Sequence, residues 1–205
     1  MIAIIDYGVG NLQSVKNAFD LLGYEAIITS NKEEILAADK VVLPGVGAFS
    51  DAMNTFRDRG FESVIDEVIK KGTHLLGICV GMQMLFEYDY EFGVHKGLGY
   101  LKGNIIKFEE HDDLGNTYKI PHMGWNNIEI VNDKGILKDI PNNSYVYFVH
   151  SYHLDNPLKT CVSAYANYGV KYGAVVEYKN IHATQFHPEK SGEVGLKILK
   201  NFGEL

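Results

Sequence analysis

The sequence predicts an α/β fold of three layers, with a mostly parallel central sheet and antiparallel additions. Two observations predict it. In the first half, short unbroken apolar runs alternate with segments of helical period, the rhythm of β-α-β units. In the second half, strand patterns follow one another closely, with short turns between some of them, as antiparallel strands do. A length of 205 residues, with no internal repeat, low-complexity tract or linker, suits one domain over residues 1–205.

The elements follow in order. Residues 2–5 are all apolar and read as a strand covered on both faces. Gly8-Val9-Gly10-Asn11 makes a turn that can cap a helix. Leu12, Val15, Ala18, Phe19 and Leu22 then recur at helical spacing until Gly23. A strand at 26–28, a helix at 32–38 and a buried strand at 41–43 come next. Ser50 is expected to cap a helix through Phe56, and Phe61, Val64, Ile65, Val68 and Ile69 mark another. The strand at 75–78 leads into Cys79 and a helical segment reaching Glu87. Further strands are expected at 105–108, 127–131, 145–149, 161–166, 174–178 and 181–186, all as antiparallel additions. Lys179-Asn180 reads as a two-residue hairpin turn. A last helix covers 194–202, and the polar stretch 109–119 reads as a surface loop.

Composition excludes some functions. The net charge of -7 argues against nucleic acid as a partner, because phosphate binding needs a basic face. The apolar runs stop short of a bilayer span, so no membrane association is expected. The start of the chain lacks a basic leader pattern. Two cysteines, Cys79 and Cys161, suit a reducing, cytoplasmic setting better than a disulfide scaffold.

The sharpest chemical signal is Gly77-Ile78-Cys79-Val80-Gly81, placed after a buried strand and before a helix. It is a nucleophile elbow with cysteine in place of serine. Such a turn lifts the thiol to the carboxyl end of the sheet, at a helix start whose dipole favours a thiolate. On these five residues alone, a buried cysteine between packing glycines is an equal reading. Cys161 lies in an alternating strand and reads as core.

A cysteine nucleophile needs a base, and the base an orienting group. His187 ends the strongest late strand, in Gln185-Phe186-His187-Pro188-Glu189. If Pro188 keeps this stretch extended, His187 and Glu189 project to one side. A surface turn fits the same residues when they are read alone. A metal held by His182, His187 and Glu189 lacks a ligand-spacing signature, so no metal is expected. Gly8-Val9-Gly10 lacks the third glycine of a dinucleotide fingerprint, where Gln13 stands, so no cofactor is expected. Pro44-Gly45-Val46-Gly47 follows a buried strand and can present backbone N–H groups to an oxyanion, with the Val80 amide as a second donor.

Together these pieces resemble the class I, or triad, glutamine amidotransferase family. The resemblance covers essentially the whole chain. It rests on Pro44-Gly45-Val46-Gly47, on Gly77-Ile78-Cys79-Val80-Gly81-Met82-Gln83 and on His187-Pro188-Glu189, in that order. Asp6-Tyr7-Gly8-Val9-Gly10-Asn11, Pro121-His122-Met123-Gly124-Trp125-Asn126 and Tyr147-Phe148-Val149-His150-Ser151-Tyr152 resemble the branch that serves histidine biosynthesis.

The resemblance implies a glutaminase with Cys79 as nucleophile, His187 as base and Glu189 as its orienting group. It implies an oxyanion hole at Val46, Gly47 and Val80, with a Val46 peptide that can flip between glycines. It implies glutamine as substrate, bound by Gln83 and Glu91, with Ser151 and Tyr152 on the α-carboxylate side. It also implies a heterodimer in which Asn11, Trp125 and Lys190 face a (β/α)8-barrel cyclase that receives the ammonia. At 205 residues the chain leaves no room for a fused barrel. Three rivals stay open: another glutaminase branch, a free-standing thiol hydrolase or redox protein, and a non-catalytic subunit.

Overall fold

The computed structural model describes residues 1–112, 114–155 and 161–205. Position 113 of the expected loop lies outside the described residues. The first half alternates as expected: β1 (Ile2–Ile5), α1 (Leu12–Leu21), β2 (Ala26–Thr29), α2 (Lys32–Ala37), β3 (Lys40–Gly45), α3 (Phe49–Asp58), α4 (Glu62–Lys70) and β4 (His74–Cys79). The four residues of β1 are all buried, so apolar layers cover both faces of the sheet there. On one side α1 packs on the C-terminal helix α6 (Gly192–Glu204), where Phe19 meets Phe202 with ring centroids 6.4 Å apart. Elsewhere α2 packs against α4.

The short helix α2 is capped by Asn31, whose side chain accepts from the N–H groups of Glu33 and Glu34. The expected cap of α3 is corrected. Ala48 holds that position and Ser50 lies inside the first turn, without a side-chain cap. The helix after Cys79 is also shorter than expected: α5 is only Val80–Gln83.

The second half holds β5 (Tyr88–Asp89), β6 (His95–Lys96), β7 (Asn104–Lys107), β8 (His122–Asn127), β9 (Glu129–Ile130), β10 (Tyr145–His150), β11 (Tyr152–Asp155), β12 (Val162–Tyr168), β13 (Val170–Tyr178) and β14 (Ile181–Thr184). Among the described residues, the main sheet has eight strands in the order β2-β1-β3-β4-β14-β13-β12-β9. The first five are parallel, and β13, β12 and β9 add antiparallel. Two expectations therefore change. The strand at 181–184 joins the parallel core beside β4, because it returns from a hairpin whose first arm is already antiparallel. Strands β7 and β10 leave the main sheet: β7 lies in a four-stranded sheet with β11, β5 and β6, and β10 pairs with β8 alone. The hairpin turn at Lys179-Asn180 forms as read, with Lys179 at φ 57 and Tyr178 opposite Ile181.

Strands β1, β3, β4 and β14 run in one direction, so their carboxyl ends share one edge. Cys79 ends β4 there, and Tyr7, Val46 and His187 follow the ends of β1, β3 and β14. In an open parallel sheet this edge is where sites are built. Among the described residues, no helix is long and apolar enough to cross a membrane.

Candidate active site

Three glycines let strands and helix converge at Cys79. A β-carbon on Gly81 would lie 2.0 Å from the Leu43 carbonyl oxygen. One on Gly77 would lie 2.9 Å from the Gly81 oxygen, and one on Gly45 would lie 2.6 Å from the Gly81 nitrogen. All three distances are below any real contact, so a side chain at any of them would force β3, β4 and α5 apart. Cys79 itself sits at φ 55, ψ −112, a region that non-glycine residues avoid. Holding it there costs about 1 to 3 kcal/mol, supplied by the packing around it.

His187 is buried, at 2% exposure. Its imidazole hydrogen-bonds the Cys79 side chain, and its Nδ1 lies 2.8 Å from Glu189 Oε1. The pairing with Glu189 does not come from an extended chain. His187 is extended at φ −95, ψ 99, but Pro188–Lys190 forms a 3-10 turn, and this turn brings the carboxylate back to the ring. Burial is the largest influence on His187 and pulls its pKa down. The hydrogen bonds to Cys79 and Glu189, with the charges of both, outweigh it and raise the imidazole to about 10. A ring that holds a proton this firmly beside a sulfur can serve as its base.

These groups open onto a cavity of about 430 Å³, a size that accommodates a small molecule. Val46, Gly47, Cys79, Val80, Gln83, Glu91, Ser151, Tyr152, His187 and Lys190 all border it, so most of the site residues named from sequence converge. The Val80 N–H opens α5, where a helix leaves its first donors outside its own ladder. Freedom around the Val46 peptide is one-sided. Gly45 is wedged against α5, whereas Gly47 has φ +84 and open space where a β-carbon would be. Gln83 is buried and donates to Gln185 Oε1 at 3.1 Å and to the Tyr152 carbonyl at 3.3 Å. Glu91 Oε2 accepts from the Phe49 N–H at 2.6 Å, which fixes the carboxylate at the cavity wall.

Asn11 and Trp125 do not border the cavity. Asn11 precedes α1 without a side-chain cap bond, and α1 packs against the turn at Pro188–Lys190. Trp125 is 56% exposed on β8 and stands edge-on to Tyr147, with centroids 6.0 Å apart. A β-carbon on Gly192 would lie 4.0 Å from its ring, so Trp125 stands beside the segment that carries Lys190.

Sequence reasoning passed over three groups. Gln185 is fully buried, and its amide nitrogen lies 3.9 Å from Cys79 Sγ. His150 borders the cavity from β10. The Tyr7 hydroxyl donates to the Pro44 carbonyl at 2.8 Å, behind the turn that carries Val46. A polar residue at an inward position of an apolar strand was the available signal for Gln185 and His150. Tyr7 carried none, since a buried tyrosine reads as core.

The glutamine amidotransferase class-I family model matches residues 3–204. The imidazole glycerol phosphate synthase subunit HisH of Methanocaldococcus jannaschii is 48% identical over 205 residues, covering 100% of both chains. The subunit of that name from Caldanaerobacter subterraneus is 49% identical over 205 residues, covering 100% of this chain and 98% of its own. Among solved structures, PurLQS from Thermotoga maritima superposes with a TM-score of 0.75 at 17% identity, covering 99% of this chain and 97% of that one. That likeness speaks for the fold alone. With a match running nearly end to end and full-length relatives close to half identical, the chain belongs to the class-I glutamine amidotransferase family.

Proposed function

We propose that the chain is the glutaminase subunit of imidazole glycerol phosphate synthase, and that it passes ammonia to a separate (β/α)8-barrel cyclase. The observation that carries the glutaminase chemistry is the buried line from Cys79 through His187 to Glu189, opening on the cavity described above. The branch rests on full-length relatives of that name.

In this reading His187 takes the Cys79 proton, and the sulfur attacks the side-chain carboxamide carbon of glutamine. The oxyanion settles on the amides at Val46, Gly47 and Val80. His187 returns the proton to the leaving nitrogen, the C–N bond breaks, and a glutamyl thioester remains. Water, deprotonated by His187, attacks the thioester, and the sulfur leaves as glutamate forms. Glu189 holds the ring so that Nε2 faces the sulfur. Gln83 and Glu91 hold the substrate, with Glu91 on its ammonium, and Ser151 and Tyr152 border its carboxylate. Asn11, Trp125 and Lys190 face the cyclase, which turns the ammonia and a nucleotide into imidazole glycerol phosphate and aminoimidazole carboxamide ribonucleotide.

The test is glutamine hydrolysis by the chain, alone and mixed with the barrel cyclase of the same organism and its nucleotide ligand. The complex is expected to be faster. Cys79→Ala should lower the rate by roughly 10³ or more, while Cys161→Ala keeps most of it. The Cys79→Ala complex should still form product from ammonium salts. A dead Cys161→Ala with an active Cys79→Ala would overturn the nucleophile. No complex and no stimulation would overturn the branch.

A further inference from the structure

From His150 at the cavity wall inward lies a buried cluster that the proposed reaction does not use: His150, His122, His153, Phe108, Phe148 and Tyr172. Three of these form a continuous hydrogen-bonded line. His150 Nδ1 lies 2.7 Å from the Tyr152 carbonyl oxygen. His150 Nε2 lies 3.3 Å from the Tyr172 hydroxyl, and the hydroxyl lies 3.2 Å from His122 Nδ1. His122 Nε2 lies 3.5 Å from Asn126 Nδ2.

Only one arrangement of protons satisfies this line. The Tyr152 carbonyl can only accept, so His150 carries its proton on Nδ1. Burial pulls both imidazoles far down, His150 to about 3 and His122 to about 4, so each ring is neutral and holds one proton. His150 Nε2 is then a bare acceptor and the Tyr172 hydroxyl donates to it. That leaves the hydroxyl oxygen to accept from His122 Nδ1–H, and His122 Nε2 to accept from Asn126. Every donor points the same way, from β8 toward the cavity. The Tyr152 carbonyl at the end of the line is the one that also takes the Gln83 amide, whose other contact, Gln185, reaches Cys79 Sγ. Tyr172 is 1% exposed and sits at the centre of the line.

We propose that Tyr172 is a positioning residue for glutamine: its hydroxyl, oriented by His122, donates to His150 Nε2, reinforces the Nδ1 proton that the Tyr152 carbonyl accepts, and thereby holds the Tyr152 peptide and Gln83 at the cavity wall. The proposal rests on the glutaminase reading and goes beyond it. Without the hydroxyl, His150 is free to carry its proton on Nε2 and to release the Tyr152 carbonyl. The catalytic groups at Cys79, His187 and Glu189 are not touched by that change.

The test has two arms. Histidine ¹⁵N NMR of the full chain should find His150 and His122 neutral with their protons on Nδ1 at pH 6 to 8. In Tyr172→Phe, His150 should become a mixture of tautomers. The KM for glutamine of the Tyr172→Phe complex should rise about tenfold, with kcat within about twofold of the parent. A purely structural loss would lower kcat through the folded fraction and leave KM alone. Unchanged KM in a folded Tyr172→Phe protein overturns the proposal, as does a parent His150 with its proton on Nε2. If Tyr172→Phe does not fold, Asn126→Ala, which removes the donor that orients the line, takes its place: the KM for glutamine should again rise with kcat kept, and an unchanged KM overturns the proposal. A parent complex that hydrolyses no glutamine would remove the functional reading instead, which keeps the two failures apart.

Discussion

Cys79 and His187 are held by different means. Cys79 is held at its strained φ of 55 by the close packing of β3, β4 and α5 that Gly45, Gly77 and Gly81 permit. His187 is held by two hydrogen bonds in a dry setting. At Asp89 burial outweighs the hydrogen bond that opposes it. Asp89 is 1% exposed, and its Oδ1 accepts the Glu91 N–H at 2.7 Å. Burial is the largest influence and raises its pKa; the Glu91 N–H opposes this in part and the Glu91 charge adds to it, so the group rises from 3.8 to about 7. The folded state therefore keeps a proton that the unfolded chain releases. Stability from this group is complete below its unfolded value of 3.8 and is lost as pH rises through about 7. Asp89→Asn carries no charge and can still accept the Glu91 N–H. Its melting temperature should exceed that of the parent by a few degrees at pH 8, and the gap should close toward pH 4. A gap of the same size at both pH values would show that the carboxyl does not titrate in this window.

At the scale of the element, the elbow is a packing solution before it is a chemical one. Strands β3 and β4 pair from Lys40 opposite His74 to Gly45 opposite Cys79, and α5 starts at once on top of them. The turn is possible because Gly81 passes so near the Leu43 carbonyl. Gly81→Ala places a methyl group inside that carbonyl. The backbone there is fixed by sheet pairing on both sides, so the strain has nowhere to go. The expected loss of stability is roughly 2 to 3 kcal/mol, read from chemical denaturation. The Cys79 alkylation rate of the folded fraction should fall with it, because the sulfur moves with α5. A variant as stable and as reactive as the parent would mean that the elbow relaxes freely.

At the scale of the molecule, the carboxyl edge of the sheet collects the turns after β1, β3, β4 and β14. It gathers Asn11, Val46, Cys79 and Lys190 from distant parts of the chain. Lys190 borders the cavity and is exposed, and Trp125 stands beside the same segment. A partner covering this edge receives ammonia before bulk water can protonate it. In the proposed complex Lys190 meets an acidic group of the cyclase, since a covered cation without a partner is costly. Lys190→Ala should therefore reduce the stimulation of glutamine hydrolysis by the ligand-bound cyclase about tenfold or more. Its melting temperature should stay within a degree or two of the parent, because an exposed lysine holds little of the fold. Full stimulation in this variant would place the coupling contact elsewhere.

The sequence by itself determined the parallel half of the molecule. Apolar runs such as residues 2–5 and 41–43 are local signals, and burial on both faces needs no distant partner to be recognised. It also determined the tight turn at Cys79, because Gly77 and Gly81 on either side answer to a geometry made within five residues. Partnership between strands was not legible. An alternating pattern says that one face is buried but not against what, so β7 and β10 read like additions to a sheet they do not join. The pairing of His187 with Glu189 was read correctly, but through an extended chain rather than the 3-10 turn that makes it. The line from Asn126 through Tyr172 to Tyr152 spans four elements and some fifty positions of sequence. No local pattern encodes it. Only the packing of β8, β10, β11 and β13 around one dry space brings those donors and acceptors within reach, and there burial keeps the histidines neutral.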